Sequence, residues 1–157
     1  MRSRGALVGA LVATVIAGSA GAADLVVIVH PEREERLGVA EIAQIYLKKR
    51  RFWEGGERIL PVNRSSGTPA RRAFERVIFG EHARDRVVYW NRQYFDGILP
   101  PATLASDEAV KRFVASERLA IGYIDASLVD DSVRVVIRLR DGESDDAEAL
   151  APASGDP

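Results

Sequence analysis

An unbroken apolar run at residues 24–30, DLVVIVH, constrains the fold of this chain more than any other feature of the sequence. Most of its residues are β-branched and Pro31 ends the run, which predicts a β-strand. Because side chains along a strand alternate between its two faces, a strand that is apolar throughout must be covered on both faces. We therefore expect a central strand in a sheet that has helices on both sides.

A helix and a second strand follow this run. The apolar residues of GVAEIAQIYLKK recur at helical spacing, and RILPVN at residues 58–63 has the pattern of a short strand after a Gly55-Gly56 turn. The order strand, helix, strand predicts a right-handed parallel unit. Further helices are predicted from Pro69, over residues 81–95 and after Ser106, and two closing strands are predicted in LAIGYID and SVRVVIRL.

Residues 1–22 have the pattern of a secretory signal peptide, with Arg2 and Arg4, an apolar run at residues 6–17, and small residues ending in Ala22. The alternative is a membrane anchor, but the apolar run is shorter than the roughly 20 residues needed to span a bilayer. We therefore expect cleavage after Ala22, a periplasmic or secreted protein, and no stable membrane span after cleavage. The chain has no cysteine, so a hydrophobic core must stabilise it without disulfides.

Charge divides the rest of the chain into two parts. Residues 23–140 carry 20 basic and 17 acidic residues, a net charge of +3, whereas residues 141–157 carry six acidic residues and no basic one. The second part is rich in Ala, Gly, Ser and Pro, so we expect an acidic disordered tail. An alternative is that the tail competes for an anion site on the domain. The predicted organisation is a signal peptide at 1–22, one domain at 23–140 and the tail at 141–157.

The segment NRSSGTPARRAF at residues 63–74 joins the second strand to the next helix. In parallel α/β units ligands collect at the carboxyl ends of strands, and a helix N-terminus adds unpaired N–H groups and a partial positive charge. Here Arg64, rather than an acidic residue, stands beside that helix start, which predicts an oxyanion site. Gly67 would allow close approach of a ligand, and three hydroxyls would donate hydrogen bonds. The predicted ligand-binding residues are Arg64, Ser65, Ser66, Gly67 and Thr68.

A structural interpretation of the same residues stays open. Thr68 and Pro69 suit the N-cap and the first position of a helix, so Thr68 could serve only as a cap. The serines would then be solvated, and Arg71 and Arg72 would lie on the outer face beside Glu75. The residue types in this turn do not by themselves distinguish the two interpretations.

Several segments together resemble the phosphate-binding proteins of bacterial ABC transporters, which belong to the type II periplasmic-binding-protein superfamily. The likeness extends from about residue 25 to residue 136 and lies in LGVAEIAQIYLKKRRFWEGG, in ILPVNRSSGT and in LAIGYID. It implies an α/β fold of three layers, in which helices flank a mixed, mainly parallel sheet, similar to one lobe of such a protein. It also implies binding of phosphate or a similar small oxyanion, with Arg64 as charge clamp and Ser66, Gly67 and Thr68 as hydroxyl and backbone donors. Ser65 has no clear counterpart.

The chain departs from this family in two respects. Family members hold the ligand between two lobes of a longer chain, and this sequence resembles only one lobe. Phosphate-binding members commonly have Arg-Ser-Asp-Gly-Ser-Gly-Thr in the loop, where the acid accepts a hydrogen bond from the protonated ligand, whereas this loop is shorter and has no acid. The resemblance implies an oxyanion ligand and, as partners, an ABC permease, a sensor protein or a second lobe.

Other site chemistries have less support in the sequence. The two histidines, His30 and His82, fit no metal-ligand spacing, so no metal and no cofactor are predicted. A G-x-S-x-G elbow and a P-loop lysine are both missing, so no catalytic residue is predicted. One enzyme hypothesis places His30, at the end of the first strand, near Ser65 and Ser66. The basic and aromatic stretch KKRRFW at residues 48–53 is of a kind that contacts nucleic acid, but the expected export argues against that partner.

Three functional hypotheses follow from the sequence. The favoured one is an exported module of the substrate-binding type, which binds phosphate or a related oxyanion at a helix N-terminus in transport or sensing. The second is a protein-interaction or sensing module that kept the fold without binding a ligand. The third is an enzyme.

Overall fold

A computed structural model of the chain describes residues 24–80 and 85–139. The predicted signal peptide, the predicted acidic tail and His82 lie outside these residues. The strands are β1 (Leu25–Val29), β2 (Leu60–Arg64), β3 (Ala102–Leu104), β4 (Ala120–Asp125) and β5 (Arg134–Leu139), and the helices are α1 (Val39–Tyr46), α2 (Pro69–Phe79), α3 (Asp85–Phe95) and α4 (Asp107–Ser116). In the part of the chain that is described, no helix is long and apolar enough to cross a membrane.

The five strands form one sheet in the order β3-β2-β4-β1-β5. Strand β2 pairs in parallel with β3 and with β4, whereas β1 pairs antiparallel with β4 and with β5. Four strands therefore run in one direction and β1 runs in the other. This confirms the predicted mixed, mainly parallel sheet. It also confirms that β1 is an internal strand, since β1 has a partner on each side and all five of its residues are buried.

The predicted parallel unit of β1, α1 and β2 is wrong, because β4 lies between the two strands and β1 runs opposite to β2. The connection after α1 explains this arrangement. It anchors on the start of β4, where the Trp53 indole N–H donates to the Leu119 carbonyl at 3.1 Å and the Leu60 N–H donates to the same oxygen at 2.9 Å. These contacts place β2 beside β4 rather than beside β1.

Helices cover both faces of the sheet, as the apolar pattern of β1 predicted. One buried cluster joins α1 and α2 to one face and includes Ile42, Phe74 and Tyr123. The other cluster joins α4 to the opposite face through Val110 and Val114. The fold is thus the predicted three-layer α/β arrangement. Strand β3 was not predicted, because three residues at the edge of a sheet are too few to show a period.

Gly122 in β4 lets α4 pack closely on the sheet. A Cβ atom at this position would lie 2.5 Å from Val110 Cγ1 and 3.1 Å from Val62 Cγ2. We expect Gly122→Ala to lower the free energy of unfolding by roughly 1 to 3 kcal/mol through overpacking, measured by urea denaturation. In the control, adding Val110→Ala should cost less in the Gly122→Ala background than in the wild type. Equal costs would contradict the close approach.

Candidate functional site

The loop between β2 and α2 holds all five predicted ligand-binding residues, because β2 ends at Arg64 and α2 begins at Pro69. Thr68 is the N-cap of α2: its hydroxyl accepts from the Arg71 N–H at 3.2 Å and donates to the Ser65 carbonyl at 2.9 Å. Gly67 has φ +79°, in the left-handed region that glycine adopts without strain. Among the described residues, the backbone N–H groups of Ser66 and Gly67 have no hydrogen-bond acceptor.

The Arg64 side chain points towards Asp107, an acidic residue from another part of the chain. Its Nε lies 2.9 Å from Oδ1 of Asp107, the first residue of α4, and both side chains are largely buried, at 12% and 17% exposed. The contact lacks hydrogen-bond geometry, so Nε and Oδ1 stay unsatisfied, and the buried Nη1 of Arg64 also has no partner in the described chain. The loop itself has no acid, as the sequence shows, and Asp107 of α4 supplies the nearby carboxylate. The sequence did not reveal the pair, because its members lie 43 positions apart.

A buried network holds the end of β2 from below. The Tyr123 hydroxyl accepts from the Arg64 N–H at 3.1 Å and donates to Oδ1 of Asn63 at 3.1 Å. Burial raises the pKa of Tyr123 to about 12, so the hydroxyl keeps its proton as a donor. The Tyr46 hydroxyl, whose pKa is also raised by burial, donates to the Val62 carbonyl at 3.0 Å. The backbone that carries Arg64 is therefore fixed by two tyrosines.

The loop opens on one side into a cleft of about 700 Å³ between β2, α2 and α3. Ser65 and Ser66 line it, together with Arg71 and Arg86. The two guanidiniums share one carboxylate: Glu75 Oε1 lies 2.6 Å from Arg71 Nε and Oε2 lies 2.8 Å from Arg86 Nη2. Two cations and one anion leave this wall with a net positive charge. Neither arginine was among the predicted ligand-binding residues, because only the packing of α3 beside α2 brings Arg71 and Arg86 together.

The structure thus divides the predicted residues between two sides of the loop. Ser65 and Ser66 face the cleft, whereas Arg64 faces Asp107. The structural interpretation is confirmed for Thr68 as a cap and for Arg71 beside Glu75, but Arg71 lines the cleft rather than an outer face. Within residues 24–80 and 85–139, these contacts leave the Ser66 and Gly67 N–H groups without an acceptor.

The structure does not place His30 near Ser65 and Ser66, as the enzyme hypothesis requires. Because β1 runs opposite to β2, the end of β1 lies level with the start of β2. His30 therefore lies at the opposite end of the sheet from Ser65 and Ser66, which follow the end of β2. The histidine shapes a turn instead. Its Nδ1 accepts from the Glu32 N–H at 3.2 Å, and its carbonyl accepts from the Arg33 N–H at 3.0 Å.

Tyr123→Phe should report how firmly the network holds the loop. The change leaves the Arg64 N–H and the Asn63 amide oxygen without their buried partner, so we expect a loss of roughly 1 to 3 kcal/mol in the free energy of unfolding. The measurement is denaturant unfolding, with Tyr94→Phe as the control, because Tyr94 is 67% exposed. Equal stability of the two variants would show that the network contributes nothing.

Comparison with known proteins finds solved structures with a similar fold. No protein-family model and no curated protein matches the sequence. A putative phosphate ABC transporter substrate-binding protein with bound phosphate from Clostridium perfringens is similar, at 28% identity and a TM-score of 0.57, over 73% of this chain and 45% of that one. An ABC-type phosphate transport receptor from Vibrio cholerae is similar at 20% identity and a TM-score of 0.57, over 73% and 46% of the two chains.

A third structure, a possible phosphate binding protein from Planctomyces limnophilus, is similar at 20% identity and a TM-score of 0.55, over 73% of this chain and 41% of that one. At 20% identity the likeness shows the fold alone. This chain spans less than half of the length of each of the three proteins. The match therefore covers a part of each neighbour.

Proposed function

We propose that this chain is an exported module which binds phosphate or a related oxyanion in transport or sensing. The premise is that the chain is a short relative of the phosphate ABC transporter substrate-binding proteins. The observation that carries the proposal is the loop at residues 64–68. It lies at the carboxyl end of a parallel strand and at the N-terminus of an eleven-residue helix, and its Ser66 and Gly67 N–H groups are free among the described residues.

The charges around the loop support an anionic ligand. Arg64 stands on one side, and the pair of Arg71 and Arg86 stands on the other with a single shared carboxylate. An oxyanion at the turn would take the free N–H groups and draw the Arg64 guanidinium away from Asp107. Because the Arg64 to Asp107 contact lacks hydrogen-bond geometry, its loss costs less than the loss of an aligned pair.

The ligand-binding role is proposed for Arg64 as charge clamp, for Ser66 and Gly67 as backbone and hydroxyl donors, for Thr68 as the residue that shapes the turn, and for Ser65 as a further hydroxyl at the cleft. The Thr68 hydroxyl is already engaged as the cap of α2, so its contribution is to hold the turn in shape. Partners of the module would be an ABC permease, a sensor protein or a second lobe. Export and a periplasmic or secreted location belong to the same proposal and are supported by the class of the structural neighbours.

Substitution of the Arg64 and Asp107 pair tests the proposal. Arg64→Ala alone would leave a buried carboxylate unpaired and would destabilise the domain for that reason. The informative variant is Arg64→Gln with Asp107→Asn, which removes both charges at nearly constant volume. We expect phosphate to raise the melting temperature of the wild type, to raise that of Asp107→Asn more, and to leave the double variant unchanged. A thermal-shift panel of phosphate, sulfate, phosphonates and carboxylates measures this effect.

The double variant also serves as its own control for folding, since its melting temperature without ligand should stay close to that of the wild type. A full phosphate response in the double variant would exclude Arg64 as a ligand group. The matched variant Arg71→Gln shows whether the cleft side contributes, because its guanidinium lies across the loop from Asp107.

A second candidate function is a protein-interaction or sensing module that kept the fold without ligand binding. Two observations favour it: Asp107 already pairs Arg64, and α3 exposes large apolar side chains, with Tyr94 67% and Phe95 88% exposed. This function predicts that no oxyanion in the panel changes the melting temperature of the wild type.

A further inference from the structure

A second concave site lies at the start of β2, at the opposite end of this strand from the Arg64 loop. It is a pocket of about 300 Å³ with three cationic side chains in its wall, those of Lys48, Arg51 and Arg58. Its other walls are largely apolar and include Leu60, Ile98 and Leu99. The basic stretch at residues 48–53, which the proposed function leaves unused, supplies two of the three cations.

The fold brings the cations together from two segments. Lys48 and Arg51 follow the end of α1, and Arg58 precedes β2. Residues 52 and 58 form an antiparallel bridge, and the Ile59 N–H donates to the Arg51 carbonyl at 2.9 Å, so the two arginines are held on neighbouring strands of a turn. The wall formed by residues 97–99 is fixed as well, because the Ile98 N–H donates to the Gln93 carbonyl at 2.9 Å.

These three cations have no acidic partner in the described part of the chain. None of them forms an ion pair with a described carboxylate, and the described residues that line the pocket include no acid. Other cations of the domain do have such partners: Arg50 contacts Glu41 at 3.0 Å, and Lys111 contacts Asp130 at 2.6 Å. The pocket therefore concentrates like charge that the described residues leave uncompensated.

Lys48 occupies this place in a strained conformation. Its φ of 58° is the one positive φ of a non-glycine residue among residues 24–80 and 85–139. The Lys48 N–H donates to the Ile45 carbonyl and the Lys49 N–H donates to the Gln44 carbonyl, just after the end of α1. Glycine is favoured at the position of Lys48 because it adopts a positive φ without strain. Burial lowers the pKa of Lys48, and the charge of Arg58 lowers it further. A lysine here therefore costs both backbone strain and charge repulsion, which a bound anion would offset in part.

We propose that the pocket formed by Lys48, Arg51 and Arg58 binds a multiply charged phosphate group. Two arginine forks and one ammonium match the several oxygens of a diphosphate or phosphomonoester better than those of a singly charged anion. The apolar wall, with Leu99 62% exposed, suits a phosphate that carries an apolar remainder. The shared chemistry has two sources, a free diphosphate or the phosphomonoester headgroup of a lipid, and the experiment separates them.

Lys48→Gly is the decisive variant because it removes the charge and the strain together. Without ligand its melting temperature should equal or exceed that of the wild type, which separates a binding role from a folding role. The measurement uses the full chain that also carries Arg64→Gln and Asp107→Asn, which removes the charged pair at the first loop, and the comparison with Lys48→Gly reports the second pocket. There we expect pyrophosphate to bind, and Lys48→Gly to weaken its binding roughly tenfold to hundredfold, the loss of one charge-assisted contact.

A second arm uses vesicles that contain phosphatidic acid, whose headgroup is a phosphomonoester, compared with neutral vesicles. The N-terminal segment is the same in all variants, so a lower vesicle-bound fraction in Lys48→Gly reports the pocket. Arg112→Gln is the matched control, since this exposed arginine of α4 lies away from the pocket and its removal changes the net charge equally. Loss of binding in either arm with Lys48→Gly, but not with Arg112→Gln, supports the proposal and identifies the source. Equal effects of the two variants, or no binding in either arm, overturn it.

Discussion

Phe74→Ala is expected to lower the free energy of unfolding by roughly 3 to 5 kcal/mol, a large part of the stability of a domain of this size. Phe74 is completely buried, and its ring stacks on Tyr123 with centroids 3.9 Å apart and an interplanar angle of 6°. Its ring also lies 4.6 Å from that of Tyr46. Removal of Phe74 would leave a cavity bounded by two rigid tyrosines, which cannot close over it.

The same substitution should loosen the loop as well as the core. Tyr123 and Tyr46 donate and accept the hydrogen bonds that hold the end of β2, so a shift of either ring moves the backbone of Arg64. Urea denaturation measures the loss of stability, and amide hydrogen exchange at residue 64 measures the loosening. Phe95→Ala is the control, because that ring is 88% exposed. If Phe74→Ala costs no more than Phe95→Ala, the aromatic cluster does not stabilise the site.

Local patterns in the sequence predicted the parts of the site that the chain builds from neighbours. Thr68 as N-cap, Pro69 as first helical residue and the buried face of α2 all follow from residues within one or two turns of each other. The three layers also followed from one strand, since the burial of β1 on both faces requires helices on both sides.

The order and direction of the strands did not follow from the sequence. A strand–helix–strand pattern fixes neither neighbour nor direction when the connection can reach another strand, and in this chain residues 47–59 anchor on β4 through Trp53. The partner of Arg64 escaped prediction for the same reason. In the sequence, Asp107 is an ordinary acidic residue in the first turn of α4, where its charge interacts favourably with the helix dipole. Only the fold brings it close to the loop.

If the loop binds an oxyanion as proposed, its donors reach the ligand from one side only, and this limits the affinity of the module when it acts alone. Two free N–H groups and one arginine offer about three charge-assisted hydrogen bonds, each worth roughly 1.5 to 3 kcal/mol. The cost of immobilising the ligand removes at least several kcal/mol of this sum, and the separation of Arg64 from Asp107 removes more. Oxygens of the ligand that face away from the loop stay in water, because the cleft beside the loop is open.

We therefore expect the monomer to bind phosphate with a dissociation constant of roughly 0.1 mM or weaker. Under this proposal tight capture requires a second surface over the loop, from a second copy or a separate protein, and we expect the exposed Tyr94 and Phe95 of α3 to contact it. Titration calorimetry on a sample shown to be monomeric by sedimentation measures the affinity, and Asp107→Asn in the same experiment should tighten binding by removing the competing carboxylate. Submicromolar binding by the monomer would mean that this domain encloses its ligand unaided, and that tight capture needs no second surface.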